Sequence, residues 1–190
     1  MSNKAVFLDR DGVINRIATK SDYYITSVDK FKFLEGVFQA VTLLNQHGYI
    51  VIVVTNQRGV PRGFLSIDGL NEIHEYMLNE FSKNDAYITD VKVCVCDQTI
   101  PCDCRKPKPG MLKKSSEEYG LDLNASWIIG DSESDIRAGK NAGCRTALVN
   151  SAFNQRFLDE NLVIRPDIIE YDVLSAVEHI LEITDLEKGM

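Results

Sequence analysis

Ala5-Val6-Phe7-Leu8, followed at once by Asp9-Arg10-Asp11-Gly12-Val13-Ile14, reads as a buried strand that ends in a sharp turn. Side chains along a strand repeat every second residue, so Asp9 and Asp11 can point the same way. Two carboxylates side by side repel unless a cation or a proton lies between them. A Mg2+-dependent phosphoryl-transfer site has that arrangement, with one acid as ligand and nucleophile and the other as general acid and base. A calcium loop or a plain strand-end turn fits these six residues too, so the choice falls to the rest of the chain.

Two further apolar runs behave the same way. Tyr49-Ile50-Val51-Ile52-Val53-Val54 ends in Thr55-Asn56-Gln57, and Ser126-Trp127-Ile128-Ile129 ends in Gly130-Asp131-Ser132-Glu133-Ser134-Asp135. Neither alternates, as expected for parallel strands covered on both faces. Ligands of doubly wound sheets bind at the carboxyl ends of strands. Between the two runs, Arg105-Lys106-Pro107-Lys108-Pro109-Gly110 brings fixed positive charge just before a helix. Acids, a hydroxyl and a cation therefore gather at one sheet edge.

With these four segments in this order, the chain resembles the haloacid dehalogenase (HAD) phosphatases over residues 5 to about 150. The resemblance implies that Asp9 is the nucleophile and Asp11 the acid/base. It matches Thr55 to the hydroxyl motif, Lys106 to the lysine motif, and Asp131 with Asp135 to the acidic motif. It also implies that Asp9, Asp131 and the main-chain carbonyl of Asp11 bind Mg2+, that Asn56, through the amides around it, helps to hold the phosphoryl group, and that Asp135 orients Lys106 or the metal shell. Each segment has a plainer reading: Asp131 caps a helix, Thr55-Asn56 forms a turn, Arg105 and Lys106 are a solvated pair. Together those readings would need four unrelated coincidences. His47, His74 and His179 sit on or at the ends of expected helices without partner motifs and receive no catalytic role.

The chain of 190 residues suits one domain, and its formal charge of −7 leaves no nucleic-acid footprint. No apolar stretch reaches the ~18 residues of a membrane span. Met1-Ser2-Asn3-Lys4 leads directly into a core strand, leaving no room for a signal peptide, so a cytoplasmic protein is expected. Of five cysteines, Cys94, Cys96, Cys102 and Cys104 form CxC-x5-CxC. In such a chain this spacing reads as a structural, four-thiolate Zn2+ site rather than as disulfides, with reactive or buried thiols as the alternative. Cys144 reads as a small buried hydrophobe.

The order of elements predicts an α/β fold, an HAD-type Rossmann-like three-layer sandwich with a mostly parallel sheet. Helices are expected over about 35–47, 66–82, 109–119, 133–142 and 173–183, and strands over 5–8, 50–54, 87–94, 126–129, 145–149 and 168–169. Residues 13–34 read as a flap or short hairpin, and a loop follows residue 150. Neither gap between motifs holds a cap domain, so the site should be open. No amphipathic seam marks an interface, and a monomer is expected.

Substrate is narrowed by two stretches. Thr55-Asn56-Gln57-Arg58-Gly59-Val60-Pro61-Arg62-Gly63 resembles the TNQxGxxRG stretch of D-glycero-D-manno-heptose-1,7-bisphosphate phosphatases, and Cys102-Asp103-Cys104-Arg105-Lys106-Pro107-Lys108-Pro109-Gly110-Met111 resembles their zinc loop. The short spacer between cysteine pairs is closer to the related histidinol-phosphate phosphatases, and Cys96 stands where both usually have His. A sugar bisphosphate needs a second cationic contact, for which Arg105, Arg58 and Arg62 are candidates. A cationic amine would instead want rim acids such as Glu133 or Asp22. The reading favours a phosphorylated sugar, with histidinol phosphate and a non-catalytic zinc-stabilised scaffold as alternatives.

Overall fold

A computed structural model describes residues 3–18, 24–97, 99, 101–149 and 164–189. Its strands are β1 (Ala5–Leu8), β2 (Ile50–Asn56), β3 (Asp90–Cys94), β4 (Trp127–Gly130), β5 (Arg145–Val149) and β6 (Ile168–Glu170). They form one sheet in the order β3-β2-β1-β4-β5-β6, and every neighbouring pair is parallel. The chain winds outward from β1 in both directions, which puts the reversal of strand order between β1 and β4. Crevices for ligands open at the carboxyl ends of strands at such a reversal. Leu8 pairs with Ile129 there, so Asp9 and Asp131 leave the sheet side by side.

Helices α1 (Val37–Gln46), α2 (Ile67–Lys83), α3 (Gly110–Tyr119), α4 (Glu133–Ala142) and α5 (Val173–Lys188) cover both faces. The period of two along β1 divides the core. Val6 and Leu8 pack with residues of α1, α2 and α5, while Ala5 and Phe7 pack with Met111 and Leu112 of α3 and Ala138 of α4. This is the expected three-layer sandwich. On α2, Leu70, Ile73, Met77 and Phe81 make a buried stripe at helical spacing. Each such side chain stabilises the fold by about 1.5–3 kcal/mol over exposure. Ser66 caps α2 by accepting from the Gly69 N–H at 3.0 Å, as its sequence position predicts.

Boundaries differ in places. The third strand begins at Asp90 rather than Tyr87, because Tyr87 is exposed and its N–H donates to Asn45 Oδ1 instead of to a strand. The last helix continues past Ile183 to Lys188, although Leu186 on that extension is 70% exposed. The base of the 13–34 segment is packed rather than loose: Val13, Ile14, Ile25 and Phe31 are buried, and Asn15 bridges to both Asp11 and Phe33. Of that segment, residues 19–23, including Asp22, lie outside the described residues, as do residues 150–163 of the loop after β5. Among the described residues, a single 3-10 turn (Val28–Lys30) and α1 precede β2 and Thr55, and α2, β3 and the cysteine loop separate Thr55 from Lys106, in agreement with a capless fold. No described helix is long and apolar enough to cross a membrane.

Candidate active site

Three carboxylates meet where β1 and β4 end. Asp9, Asp131 and Asp135 each offer an oxygen, and these lie within 4.8 Å of one another. The backbone makes this meeting possible at Gly12, whose φ is +94° and where a Cβ would lie 2.1 Å from Asp131 Oδ2. Only glycine takes that conformation without strain and leaves the carboxylate room. Asp135 is fully buried in the first turn of α4, and its Oδ2 accepts from the Ser132 N–H at 3.2 Å and the Ser132 hydroxyl at 2.5 Å.

Lys106 is the cation among them. Its Nζ lies 2.8 Å from Asp9 Oδ1 and 2.6 Å from Asp135 Oδ1, and donates to the Val54 carbonyl at 2.7 Å. Burial alone would strip the proton, but the two carboxylates outweigh it and push the Lys106 pKa up. Asp9 is raised well above the usual carboxylate range. Burial is the largest cause, Lys106 opposes it, and repulsion from Asp135 and Asp131 adds to it. One ammonium among three acids leaves negative charge uncompensated, and the donors are all hard oxygens. That set fits Mg2+, which takes oxygen ligands.

Asp11 sits in a separate cradle. Its Oδ1 accepts from Arg10 Nη2 at 3.0 Å and Asn15 Nδ2 at 2.9 Å, and its Oδ2 from Arg10 Nη2 at 2.9 Å and Gln57 Nε2 at 2.8 Å. Burial would raise its pKa, but the Arg10 guanidinium and these hydrogen bonds prevail and hold Asp11 below the usual range, as the carboxylate. Gln57 also donates to Thr55 Oγ1 at 2.8 Å, tying the hydroxyl to the Asp11 carboxylate. Arg10 is itself fully buried, and its Nη1 lies 3.1 Å from Nε2 of buried His74. Burial first, and the Arg10 charge second, push the His74 pKa down to about 4, so the ring is neutral near pH 7.

Four of these side chains escaped the sequence reading: Arg10, Asn15, Gln57 and His74. Gln57 follows Thr55 by two residues, the strand period, and that signal was present. His74 shares its helical stripe with Leu70, Ile73 and Met77, which marked it as buried but gave no partner.

The cysteine loop adjoins Lys106. The four Sγ atoms of Cys94, Cys96, Cys102 and Cys104 lie within 4.8 Å of one another, with contacts of 3.9, 3.6 and 3.0 Å. A zinc tetrahedron with bonds of about 2.3 Å has S–S edges near ~3.8 Å; the 3.9 and 3.6 Å contacts match that edge, the 3.0 Å contact between Cys104 and Cys94 is shorter, and the set of four thiols is one that zinc takes. Cys144 lies apart from this group, and burial pushes its thiol pKa up to about 12. The loop is laced to the lysine segment: Gly110 N–H donates to Asp103 O at 3.0 Å, and Lys108 Nζ to Cys102 O at 2.5 Å.

The side chains of three predicted substrate contacts are engaged elsewhere. Asn56 clasps the Lys106 backbone, with Oδ1 accepting from its N–H and Nδ2 donating to its carbonyl, both at 3.1 Å. Arg105 donates through Nη1 to the Cys96 carbonyl at 3.1 Å, turned toward the cysteine loop. Arg62 donates to Tyr24 Oη at 3.3 Å and lies 3.9 Å from Asp97, while Tyr24 and Phe64 pair their rings at 5.2 Å. Arg58 Nε is buried without a hydrogen-bond partner among the described residues. Glu133 is paired with Arg137 at 2.6 Å, one turn along α4.

A family model described as HAD-hydrolase-like matches residues 103–176. D-glycero-alpha-D-manno-heptose-1,7-bisphosphate 7-phosphatase of Burkholderia mallei is 40% identical over 156 residues, covering 78% of this chain and 80% of that protein. D-glycero-beta-D-manno-heptose-1,7-bisphosphate 7-phosphatase of Pseudomonas aeruginosa is 35% identical, covering 93% and 97%. The crystal structure of D,D-heptose 1,7-bisphosphate phosphatase from B. bronchiseptica, complexed with magnesium and phosphate, superposes with a TM-score of 0.87 at 31% identity, over 94% of this chain and 98% of that one.

Proposed function

This chain belongs to the HAD-like family of D-glycero-D-manno-heptose-1,7-bisphosphate 7-phosphatases, and from that premise we propose that it is a Mg2+-dependent phosphatase that removes the 7-phosphate of a heptose 1,7-bisphosphate through an aspartyl phosphate. One observation carries the reading: buried Lys106 sits between Asp9 and Asp135, with Asp131 alongside, at the carboxyl ends of β1 and β4. Mg2+, held by Asp9, Asp131 and the Asp11 carbonyl, would supply charge neutralisation for the transferring phosphoryl group.

The side chains divide the work. Both Lys106 Nζ and the Arg10 N–H contact Oδ1 of Asp9, the latter at 2.7 Å, which leaves Oδ2 to attack phosphorus in line. Asp11 rests as a carboxylate, the form that takes a proton from water and so hydrolyses the intermediate. In the first half-reaction Asp11 must first take up a proton from solvent as substrate binds; it passes that proton to the leaving oxygen, and the carboxylate this leaves takes one back from the attacking water. Lys106 offsets charge on the phosphoryl oxygens, and Thr55 offers its hydroxyl. Asn56 acts through its grip on Lys106. Arg58 and Arg62 are the cations for the second phosphate, and Arg105 joins them by turning from Cys96. The protein is taken as one domain over 1–190, monomeric and cytoplasmic, with no nucleic-acid or membrane partner.

Phosphate release should be measured with both heptose bisphosphate anomers, fructose 1,6-bisphosphate, histidinol phosphate and an aryl phosphate. The expected result is a preference of about 100-fold in kcat/KM for one heptose anomer, ~3 kcal/mol of transition-state discrimination. Preference for histidinol phosphate would overturn the substrate, and no Mg2+-dependent release from any of them would favour a scaffold.

The cysteine loop is assigned one structural Zn2+. Elemental analysis should give about one zinc per chain. Cys102→Ser should lose it and lower kcat about 10-fold or more, because the loop holds the Lys106 segment in place. A zinc-free Cys102→Ser protein with unchanged rate would refute that coupling.

A further inference from the structure

His74 lies outside every motif, yet among the described residues it is a buried polar side chain. Its Nε2 is 3.1 Å from Arg10 Nη1. A guanidinium has donors only, so Nε2 must be the acceptor and the ring proton must sit on Nδ1. The other terminal nitrogen of Arg10, Nη2, holds both oxygens of Asp11. Arg10 Nε has no hydrogen-bond partner among the described residues. His74 and Asp11 are therefore the two side chains that fix the plane of a wholly buried guanidinium, with the Phe31 ring 5.8 Å away as its apolar neighbour.

We propose that His74 is a positioning residue for the hydrolysis assigned above: as a neutral acceptor on α2 it locks Arg10, and through Arg10 the orientation of the Asp11 carboxylate. The inference rests on the reading of Asp11 as acid/base. Without an acceptor at Nη1 the guanidinium can turn, and Asp11 loses the partner that, among the described residues, holds both its oxygens at once. Asn15 and Gln57 each hold a single oxygen and keep the carboxylate in the site without fixing its tilt. Proton transfer depends on that tilt, whereas binding of a phosphorylated sugar does not. The effect should therefore fall on kcat.

The pair His74→Gln and His74→Asn isolates the contact. Gln Oε1 falls near the place of Nε2, and Asn Oδ1 falls near that of Nδ1, too short to reach Arg10. Both are neutral and polar, so the two differ in reach more than in the burden they put on the fold, which thermal unfolding of each would check. His74→Asn is expected to lower kcat between about 10-fold and 100-fold with KM within about 2-fold, the scale of a misaligned reacting group. His74→Gln should keep kcat within about 3-fold of the parent. In an Arg10→Lys background, where no guanidinium spans the two partners, His74→Asn should cost less than about 2-fold more. Equal losses in Gln and Asn, a loss confined to KM, or an undiminished effect in the Arg10→Lys background would overturn the proposal and leave the phosphatase reading intact. A parent protein that hydrolyses none of the panel would overturn both.

Discussion

Replacing Asp9 with Asn is expected to abolish turnover while leaving the protein at least as stable as before. The chemistry sets the first half of that result. An amide oxygen is a poor nucleophile and forms no stable phosphorylated intermediate, so kcat for phosphate release should fall by about 10^4-fold or more, ~5.5 kcal/mol. The geometry sets the second half. Asn at this position keeps an oxygen that can accept from Lys106 Nζ and from the Arg10 N–H, the two contacts on Oδ1. It also removes one of three crowded acids. Burial and the charges of Asp135 and Asp131 raise the Asp9 pKa, which means that at neutral pH the ionised side chain works against folding when no cation is present. In Mg2+-free buffer the thermal midpoint of Asp9→Asn should therefore equal or exceed that of the parent, and Mg2+ should stabilise the parent more than the variant. Full activity in Asp9→Asn would remove the nucleophile and the mechanism with it. A large drop in stability would mean that the acid serves the fold.

That separation of roles follows the way the sequence announces itself. The central strands β1, β2 and β4 were legible because a strand covered on both faces reads as an unbroken apolar run, and each ends in the polar residues that the sheet brings together. The first-turn acid Asp135, Lys106 before Pro107 and the four cysteines were legible as residue types at fixed spacing. What the spacing did not carry was direction. The Asn56 side chain clasps the Lys106 backbone, 50 residues away, which leaves only the amides around it for the phosphate contact that its sequence position suggests. Arg105, a candidate for the second phosphate by its position, turns toward Cys96. His74 meets Arg10 across 64 residues, a contact that depends on how α2 packs on the sheet. Such choices are made by tertiary packing and side-chain rotamers, to which local periodicity is blind. The start of β3 was misplaced for a related reason: Tyr87 and Ile88 have strand-like composition, but Thr89 N–H is the first to reach β2, through Val51 O at 2.8 Å.

Lys106→Met tests the opposite case, a residue on which, in the function proposed above, fold and chemistry both depend. The ammonium is ringed by Asp9, Asp135 and the Val54 carbonyl, and Asp135 is fully buried. Met fills much of the same volume without the charge, so Asp135 is left facing Asp9 with no cation between them. Breaking a buried ion pair from one side costs about 3–5 kcal/mol, on the order of a 10 °C fall in the thermal midpoint for a chain of this size. Asp135→Asn on top of Lys106→Met removes the stranded charge and keeps an oxygen to accept from Ser132 N–H, so it should restore at least about half of that loss. Activity should not return with it. If Lys106 offsets charge on the transferring phosphoryl group, both variants should lie about 10^3-fold below the parent in kcat, the scale of a missing electrostatic contact in a transition state. Stability recovered without activity would assign the ammonium to the phosphoryl group. Activity recovered together with stability would mean that Lys106 only balances the acids, and the lysine would drop out of the mechanism.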